Sequence, residues 1–306
     1  MQNFQKFNFL AVPKTLPKNS GNIIYFTRLA QLTANTTALT DGTSPTGINS
    51  TGSNVIATAV PYGAWEMIGR QFELTTIDSG LKEHVELMAQ NAGESLDIIL
   101  GKAMAVSGAS TSVLCANSAQ VSAIASTDTL SVSGIRQAVK TLKINKAPKW
   151  ENGNYRAVIG PDGIYQLQGD TAAGNWINIG LYNSEKNAEM LKKGVIGTLY
   201  GVDIVESTVA FCASSSEYDG TPGEVGPSAV CAFFAGKGAV AEVKLQGNGD
   251  AKIIYKKGGD QDTSNPLEMY STLGWKVEGY ASKILNPYWL VRYAHYGVPG
   301  AGTNAS

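Results

Sequence analysis

One long amphipathic stretch, Asp78–Ser107, constrains the fold more than any other part of this chain. Leu81, Val85, Met88, Ala92, Leu96, Ile99 and Ala103 recur at steps of three and four, which predicts one apolar helical face. The opposite face carries Glu83, Glu86, Gln90, Glu94 and Asp97. Asp78 or Ser79 can cap the start by accepting a bond from a free first-turn amide, and Gly108 can end the helix. At 1.5 Å per residue the rod is roughly 40 Å long, against ~10–14 residues for an ordinary globular helix.

The whole chain of 306 residues has enough apolar content for one elaborate domain or two smaller ones. Charged residues make up 16%, below the ~25% of an ordinary soluble domain. A net charge of −1 gives no bulk attraction to nucleic acid or membrane. No apolar run reaches the ~18 residues of a spanning helix, and FNFLAV is too short for the apolar segment of a signal peptide. Cys115, Cys212 and Cys231 are odd in number and include no CxxC pair, which speaks against a disulfide framework or a thiolate zinc site.

Residues 1–38 read as an arm with scattered apolar residues, broken by Pro13 and Pro17. The arm holds Lys6, Lys14, Lys18 and Arg28 and no acid, whereas Asp78–Gly101 carries five acids and one lysine. A positive arm crossing an acidic helix, within a subunit or between neighbours, is one reading, with Lys6, Lys14, Lys18 and Arg28 facing Glu83, Glu86, Glu94 and Asp97. Solvated charge on both segments is the other, since exposed pairs contribute only ~0–1 kcal/mol. Residues 39–77 begin as a Thr/Ser/Gly/Asn loop. Two strands follow, Asn54–Val60 and Ala64–Leu74, broken at Pro61 and Gly63, with Ile68, Phe72 and Leu74 on one face of the second. A long polar tip on extended segments predicts a projecting loop.

After a small-residue connector, Ser131–Lys143 reads as a helix burying Ile135, Ala138, Val139 and Leu142. Arg136, Lys140 and Lys143 fall on another face. With Lys146 and Lys149 they form the most basic stretch, which fits phosphate contacts or a plain solvated face. From Tyr155 the pattern alternates between strand and helix: YRAVIGP, a short helix over 162–168, another over Asn183–Lys192, and a strand pair within Gly194–Ser207. Ser214–Ser228 reads as loop. Ala229–Ala235 and Ala239–Leu245 read as strands, and QGNGD at Gln246–Asp250 predicts a tight hairpin turn into Ala251–Lys257. Thr272–Leu285 and Tyr288–Tyr296 are the last strands, ahead of a loose tail.

No catalytic constellation assembles. His84 lacks an HExxH partner, and His295 sits among aromatics in a strand. There is no GxSxG elbow and no phosphate loop. The glycines after Gly236 precede a strand where a dinucleotide fingerprint needs a helix. Asp260 and Asp262 begin like a calcium loop, but Asn265 and Ser271 stand where Gly and Glu are needed. No enzyme, cofactor or metal site is expected.

Five segments in this order, VPYGAWEMIGRQFELTTID, SLDIIL, YRAVIGPDGIYQL, GVIGTLYGVDIVEST and NPLEMYSTLGWKVEGYASKIL, resemble the major capsid proteins of tailed bacteriophages. That is the α+β Hong Kong 97-type fold, and the resemblance is closest to the coliphage N-four coat protein branch. It implies an N-terminal arm at 1–38, an extended loop at 39–77 and a peripheral domain with the spine helix at 78–154. It further implies an axial domain at 155–236, and a peripheral-domain hairpin with closing strands at 237–306. The hairpin tip, with Asn248, is then expected near a three-fold axis and joins the arm and helix charges as a subunit-interface residue. The implied function is self-assembly into pentamers and hexamers of an icosahedral shell enclosing double-stranded DNA, which it touches weakly and non-specifically. Portal, scaffolding and decoration proteins are the implied partners, with no membrane. The implied location is the virion, assembled in the host bacterial cytoplasm. An encapsulin-like compartment shell is the alternative use of the same fold. Leu39–Leu74 has no lysine, so a lysine–asparagine cross-link from that loop is not expected.

Overall fold

The amphipathic stretch does form one helix, Gly80–Val106, and the segments around it sort into two sheets and a two-stranded ribbon. The computed structural model describes residues 5–44, 46–75, 80–106, 112–116, 121–170, 197–209, 211–212, 229–258, 265 and 267–297. The predicted caps Asp78, Ser79 and Gly108, the helix over Asn183–Lys192, the loop Ser214–Ser228 and the acids Asp260 and Asp262 lie outside them.

In chain order, a 3-10 turn at Phe7–Leu10 leads into β1 (Ala11–Leu16), β2 (Ile23–Leu29), β3 (Gly52–Thr58) and β4 (Val60–Gly69). Next come α1 (Arg70–Thr75), α2 (Gly80–Val106), β5 (Ser112–Cys115) and α3 (Val132–Ile144). Then follow β6 (Tyr155–Ile159), α4 (Pro161–Gly169), β7 (Thr198–Leu199), β8 (Val202–Glu206) and β9 (Phe211–Cys212). The chain closes with β10 (Ala229–Ala235), β11 (Val240–Leu245), β12 (Lys252–Lys256), β13 (Tyr270–Ile284) and β14 (Leu290–Tyr296).

The five-stranded sheet is organised by β13, whose 15 residues take β4 along one edge and β12 and β11 along the other, with β1 outside β11. The seven-stranded sheet runs β5-β14-β10-β6-β8-β7, with β9 also on β10. Its core strands are nearly continuous apolar runs because both faces are covered. Helix α3 packs on β14 as its pattern predicts: Ser131 caps it by accepting from the Gly134 amide, and Ile135, Ala138, Val139 and Leu142 are buried.

Helix α2 spans both bodies. Met88, Ala92 and Leu96 pack against Leu273, Trp275, Val277 and Tyr280 of the five-stranded sheet. Leu100, Met104 and Ala105 pack instead with Phe7, Leu10 and Phe233, where the 3-10 turn meets the seven-stranded sheet. The buried row thus advances in steps of four, rotating by about 40° per step because 3.6 residues complete a turn. The predicted stripe holds for Met88, Ala92 and Leu96. Leu81 is exposed, and Val85, Ile99 and Ala103 are half-buried, since the platform beneath the helix changes partway along it.

Three local expectations are corrected. First, the strand predicted over Ala64–Leu74 ends at Gly69, and Arg70–Thr75 is helical, so Phe72 and Leu74 are exposed rather than on a sheet face with buried Ile68. Arg, Gln, Glu and Leu are good helix formers, which suits that turn. Second, Pro61 and Gly63 do not break β4. Pro61 sits where the β4–β13 register shifts between Val277 and Tyr280, so its missing N–H costs no regular ladder bond. Gly63 is required by close approach: a Cβ there would lie 2.6 Å from the Trp275 carbonyl oxygen. Gly63→Val is therefore expected to lower stability by roughly 1–3 kcal/mol, as overpacking against an immovable backbone does. Urea denaturation checks this, and a midpoint equal to that of the unaltered chain would show that β4 can shift.

Third, β11 and β12 are not a hairpin. Val240–Lys244 pair with 284–280 and Lys252–Lys256 with 276–272, so both run antiparallel to β13, end to end on one edge. The turn residues Gln246–Asp250 make an outward excursion within that edge, and the chain reverses only between β12 and β13. Asn248 therefore stands at the excursion, not at a hairpin tip. Its Nδ2 donates to Glu278 at 2.5 Å and its Oδ1 accepts from Lys252 at 2.7 Å.

Candidate functional site

The segment expected as an arm lying across the acidic helix begins inside the molecule. Phe7, Leu10, Ala11 and Leu16 are buried, and β1 adds a parallel strand to β11. The anchor is Asp97, predicted on the solvated acidic face of α2 and found 1% exposed. Its Oδ1 accepts the backbone amides of Lys6 at 2.8 Å and Phe7 at 2.7 Å, and its Oδ2 accepts Ser207 Oγ at 3.3 Å. Desolvation outweighs these bonds and raises the carboxyl from 3.8 to about 6. The Lys6 charge is the weakest influence on it. The arm does meet the helix within the subunit, but through backbone N–H groups rather than lysine charge. Nothing in the periodicity marks Asp97 for burial; that its carboxylate accepts the Lys6 and Phe7 amides is visible only once the arm is docked.

Arg156 on β6 fixes the same turn from the other side. Its guanidinium donates to the Phe9 carbonyl at 2.9 Å and lies 4.4 Å from the Phe9 ring centroid and 3.8 Å from that of Trp150. Cation–π contacts are worth from about 0.5–1 kcal/mol at exposed sites to about 2 or more when desolvated, and Arg156 is half-buried.

The other charges singled out in the sequence are scattered. Lys14 is exposed on β1, Lys18 lies beside Gly247, and Arg28 lines a groove with Leu29, Ile144 and Tyr288. Glu83, Glu86 and Glu94 are exposed on α2, as the helical spacing predicts.

Two apolar surfaces are left uncovered. In the β2–β3 ribbon, Ala57, Ile24 and Phe26 pack over Leu16, Val243 and Ala281 of the five-stranded sheet. The other ribbon face presents Ile23, Tyr25, Leu29 and Ile56, the most open of them 67% exposed. Beyond the ribbon, residues 30–44 and 46–51 are exposed throughout. The boundary expected between arm and loop at residue 38 thus falls inside one hairpin unit. On the outer face of the five-stranded sheet, Trp65 and Ile254 flank Gly274, with Met67 beside them, and all three side chains are more than half exposed. Apolar faces of this kind on a chain with a well-filled core mark interaction surfaces.

The histidines are accounted for structurally. His84 Nδ1 lies 3.1 Å from Glu66 Oε1 and meets the Phe72 ring edge-on. His295 is fully buried in β14, donates from Nδ1 to the Tyr296 carbonyl at 2.9 Å, and is pushed down from 6.5 to about 4 by burial.

No protein-family model matches the chain, and no curated protein matches it by sequence. Solved structures do match by fold. The capsid of Ralstonia phage GP4 superposes with a TM-score of 0.69 over 96% of this chain and 88% of that one, at 15% identity. The capsid of cyanophage P-SCSP1u gives 0.65 over 98% and 90%, at 16% identity. The capsid of cyanophage Pam1 gives 0.64 over 92% and 87%, at 15% identity. The chain therefore has the mixed α+β fold of these bacteriophage capsid structures along nearly its whole length. No helix among the described residues is long and apolar enough to cross a membrane.

Proposed function

We propose that the chain is the major capsid protein of a tailed bacteriophage, a tile that assembles with copies of itself into an icosahedral shell. The observation that carries this reading is the near-complete, end-to-end likeness to capsids of unrelated hosts at identities where only architecture is retained. The uncovered ribbon face and the exposed residues beyond it support it, because such surfaces need neighbours to bury them. On this reading the five-stranded sheet with α2 is the peripheral domain of a Hong Kong 97-type subunit and the seven-stranded sheet with α3 and α4 the axial domain. The ribbon and residues 30–51 are the loop reaching a neighbour. Pentamers and hexamers, a portal, a scaffolding protein, packaged DNA and kinship with the N-four branch belong to the same proposal. The reading also implies a structural, non-enzymatic role in the virion.

Sedimentation and negative-stain microscopy of the expressed chain test it. Closed shells, or sheets and tubes of ring-shaped tiles, are the expected result. A monodisperse monomer at every concentration and salt tried sinks the proposal.

A further inference from the structure

Two charged helical faces on this chain are complementary, and neither has an ion-pair partner among the described residues. On α2, Glu83, Glu86 and Glu94 are exposed and form no ion pair among the described residues. Lys82 stands beside the first two, and the exposed Leu87 lies between them and Glu94. On α3, Arg136, Lys140 and Lys143 share an exposed row that continues to Lys146 and Lys149, and no acid occurs between Thr129 and Trp150. Arg136 lies over the Tyr200 ring, while Lys140, Lys143 and Lys146 have no described ion-pair partner. Ile144, 67% exposed, ends the row. At 1.5 Å per residue the acidic row covers roughly 16 Å and the helical part of the basic one, Arg136 to Lys143, about 10 Å, with Lys146 just past the end of α3. Each row carries one exposed aliphatic side chain, Leu87 in the acidic row and Ile144 beside the basic one.

The arm cannot be the acids' main counterpart. Its start is held by Asp97 and Arg156, Lys18 rests on Gly247, and Arg28 faces the groove beside Tyr288. Lys14 stays exposed in the arm, and helix α3 is a dense source of exposed positive charge among the described residues.

We infer that α3 of one copy docks its Arg136–Lys143 row on the Glu83–Glu94 face of α2 in a second copy. This rests on the capsid reading and names the surfaces through which two of its tiles meet. The two faces are different patches, so the contact is head-to-tail and propagates into rings rather than stopping at a dimer. Complementary charge of this kind sets register and encounter rate.

Charge exchange in the full chain tests it, read as the concentration at which half the protein enters large particles. Reversal of either row (Glu83→Lys with Glu86→Lys and Glu94→Lys, or Arg136→Glu with Lys140→Glu and Lys143→Glu) is expected to raise that concentration about tenfold or more, since like charges across an interface cost several kcal/mol. In an equimolar mixture of the two reversed chains every alternating contact is again opposite in charge, so mixing them, or combining both reversals in one chain, is expected to restore assembly to within about threefold. Glutamine versions of each row, with thermal unfolding matched to the unaltered chain, separate lost docking from lost folding. Unchanged assembly of either reversed chain, or no restoration in the combined one, overturns the docking while leaving the capsid reading intact. Loss of co-purified nucleic acid without any change in assembly on reversing α3 also overturns it, because the row would then face phosphates. An unaltered chain that never associates overturns both.

Discussion

Replacing Phe7 and Leu10 together by alanine is expected to remove most of the stability of the subunit. Both side chains are fully buried against Leu100, Met104 and Phe233, and Phe7 meets Phe233 edge-on at 5.5 Å between centroids. Single truncations of buried Phe and Leu cost ~3–5 and ~2–5 kcal/mol. The pair shares one cavity and does not add fully, so roughly 4–8 kcal/mol is expected, against ~5–15 for a typical domain. Guanidinium denaturation of the double variant measures it. Read as an arm that makes no core of its own, the segment suggests instead that deleting residues 1–28 leaves a soluble fold and impairs only assembly. A variant that unfolds like the unaltered chain and merely fails to assemble would restore that view and contradict the buried turn.

Acid is expected to act on Asp97 and His295 in opposite senses. The Asp97 carboxyl is raised to about 6 in the folded chain from 3.8, so the native state binds the proton more tightly. Its contribution to stability is fully present below pH ~4 and is lost as pH rises through about 6. His295 is lowered to about 4 from 6.5, so its contribution is present above pH ~6.5 and is lost as pH falls through about 4. Each effect amounts to roughly 3 kcal/mol at 1.36 kcal/mol per tenfold change in proton affinity, and over pH 4–6.5 the two nearly cancel. Asp97→Asn keeps an oxygen for the Lys6 and Phe7 amides and an N–H for Ser207, but no longer titrates. That variant is expected to lose about 2 kcal/mol relative to the unaltered chain on going from pH 7 to 4.5. His295→Gln is expected to shift the other way. Parallel pH profiles for all three chains would show that neither group is buried as described.

The sequence made some of this molecule plain. The helix over Gly80–Val106 was readable from its apolar steps, and α3 down to the Ser131 cap and its four buried residues. The strand at Tyr155–Ile159, the short helix that follows it and the apolar runs of β10 and β14 were readable too. Exposure of Glu83, Glu86 and Glu94 also followed from spacing. The part of the site that involves Asp97 was misread, because an acid three residues before Leu100 looks the same from the sequence whether water or two backbone amides receive it. The Gln246–Asp250 turn was misread for a related reason. Its residues specify a local bend, but whether the chain then reverses or continues along the same neighbour depends on β13, which arrives later in the chain.

Local covalent order thus determined which segments are helix or strand and which of their faces are apolar, since side-chain spacing acts over one or two turns. Tertiary structure alone decided that the leading segment completes the core, that α2 turns its buried row from one sheet to the other, and that one carboxylate is taken out of water. Those outcomes depend on contacts between residues some ninety positions apart or more, as from Phe7 to Asp97 and on to Ser207, whose free energy no local pattern encodes.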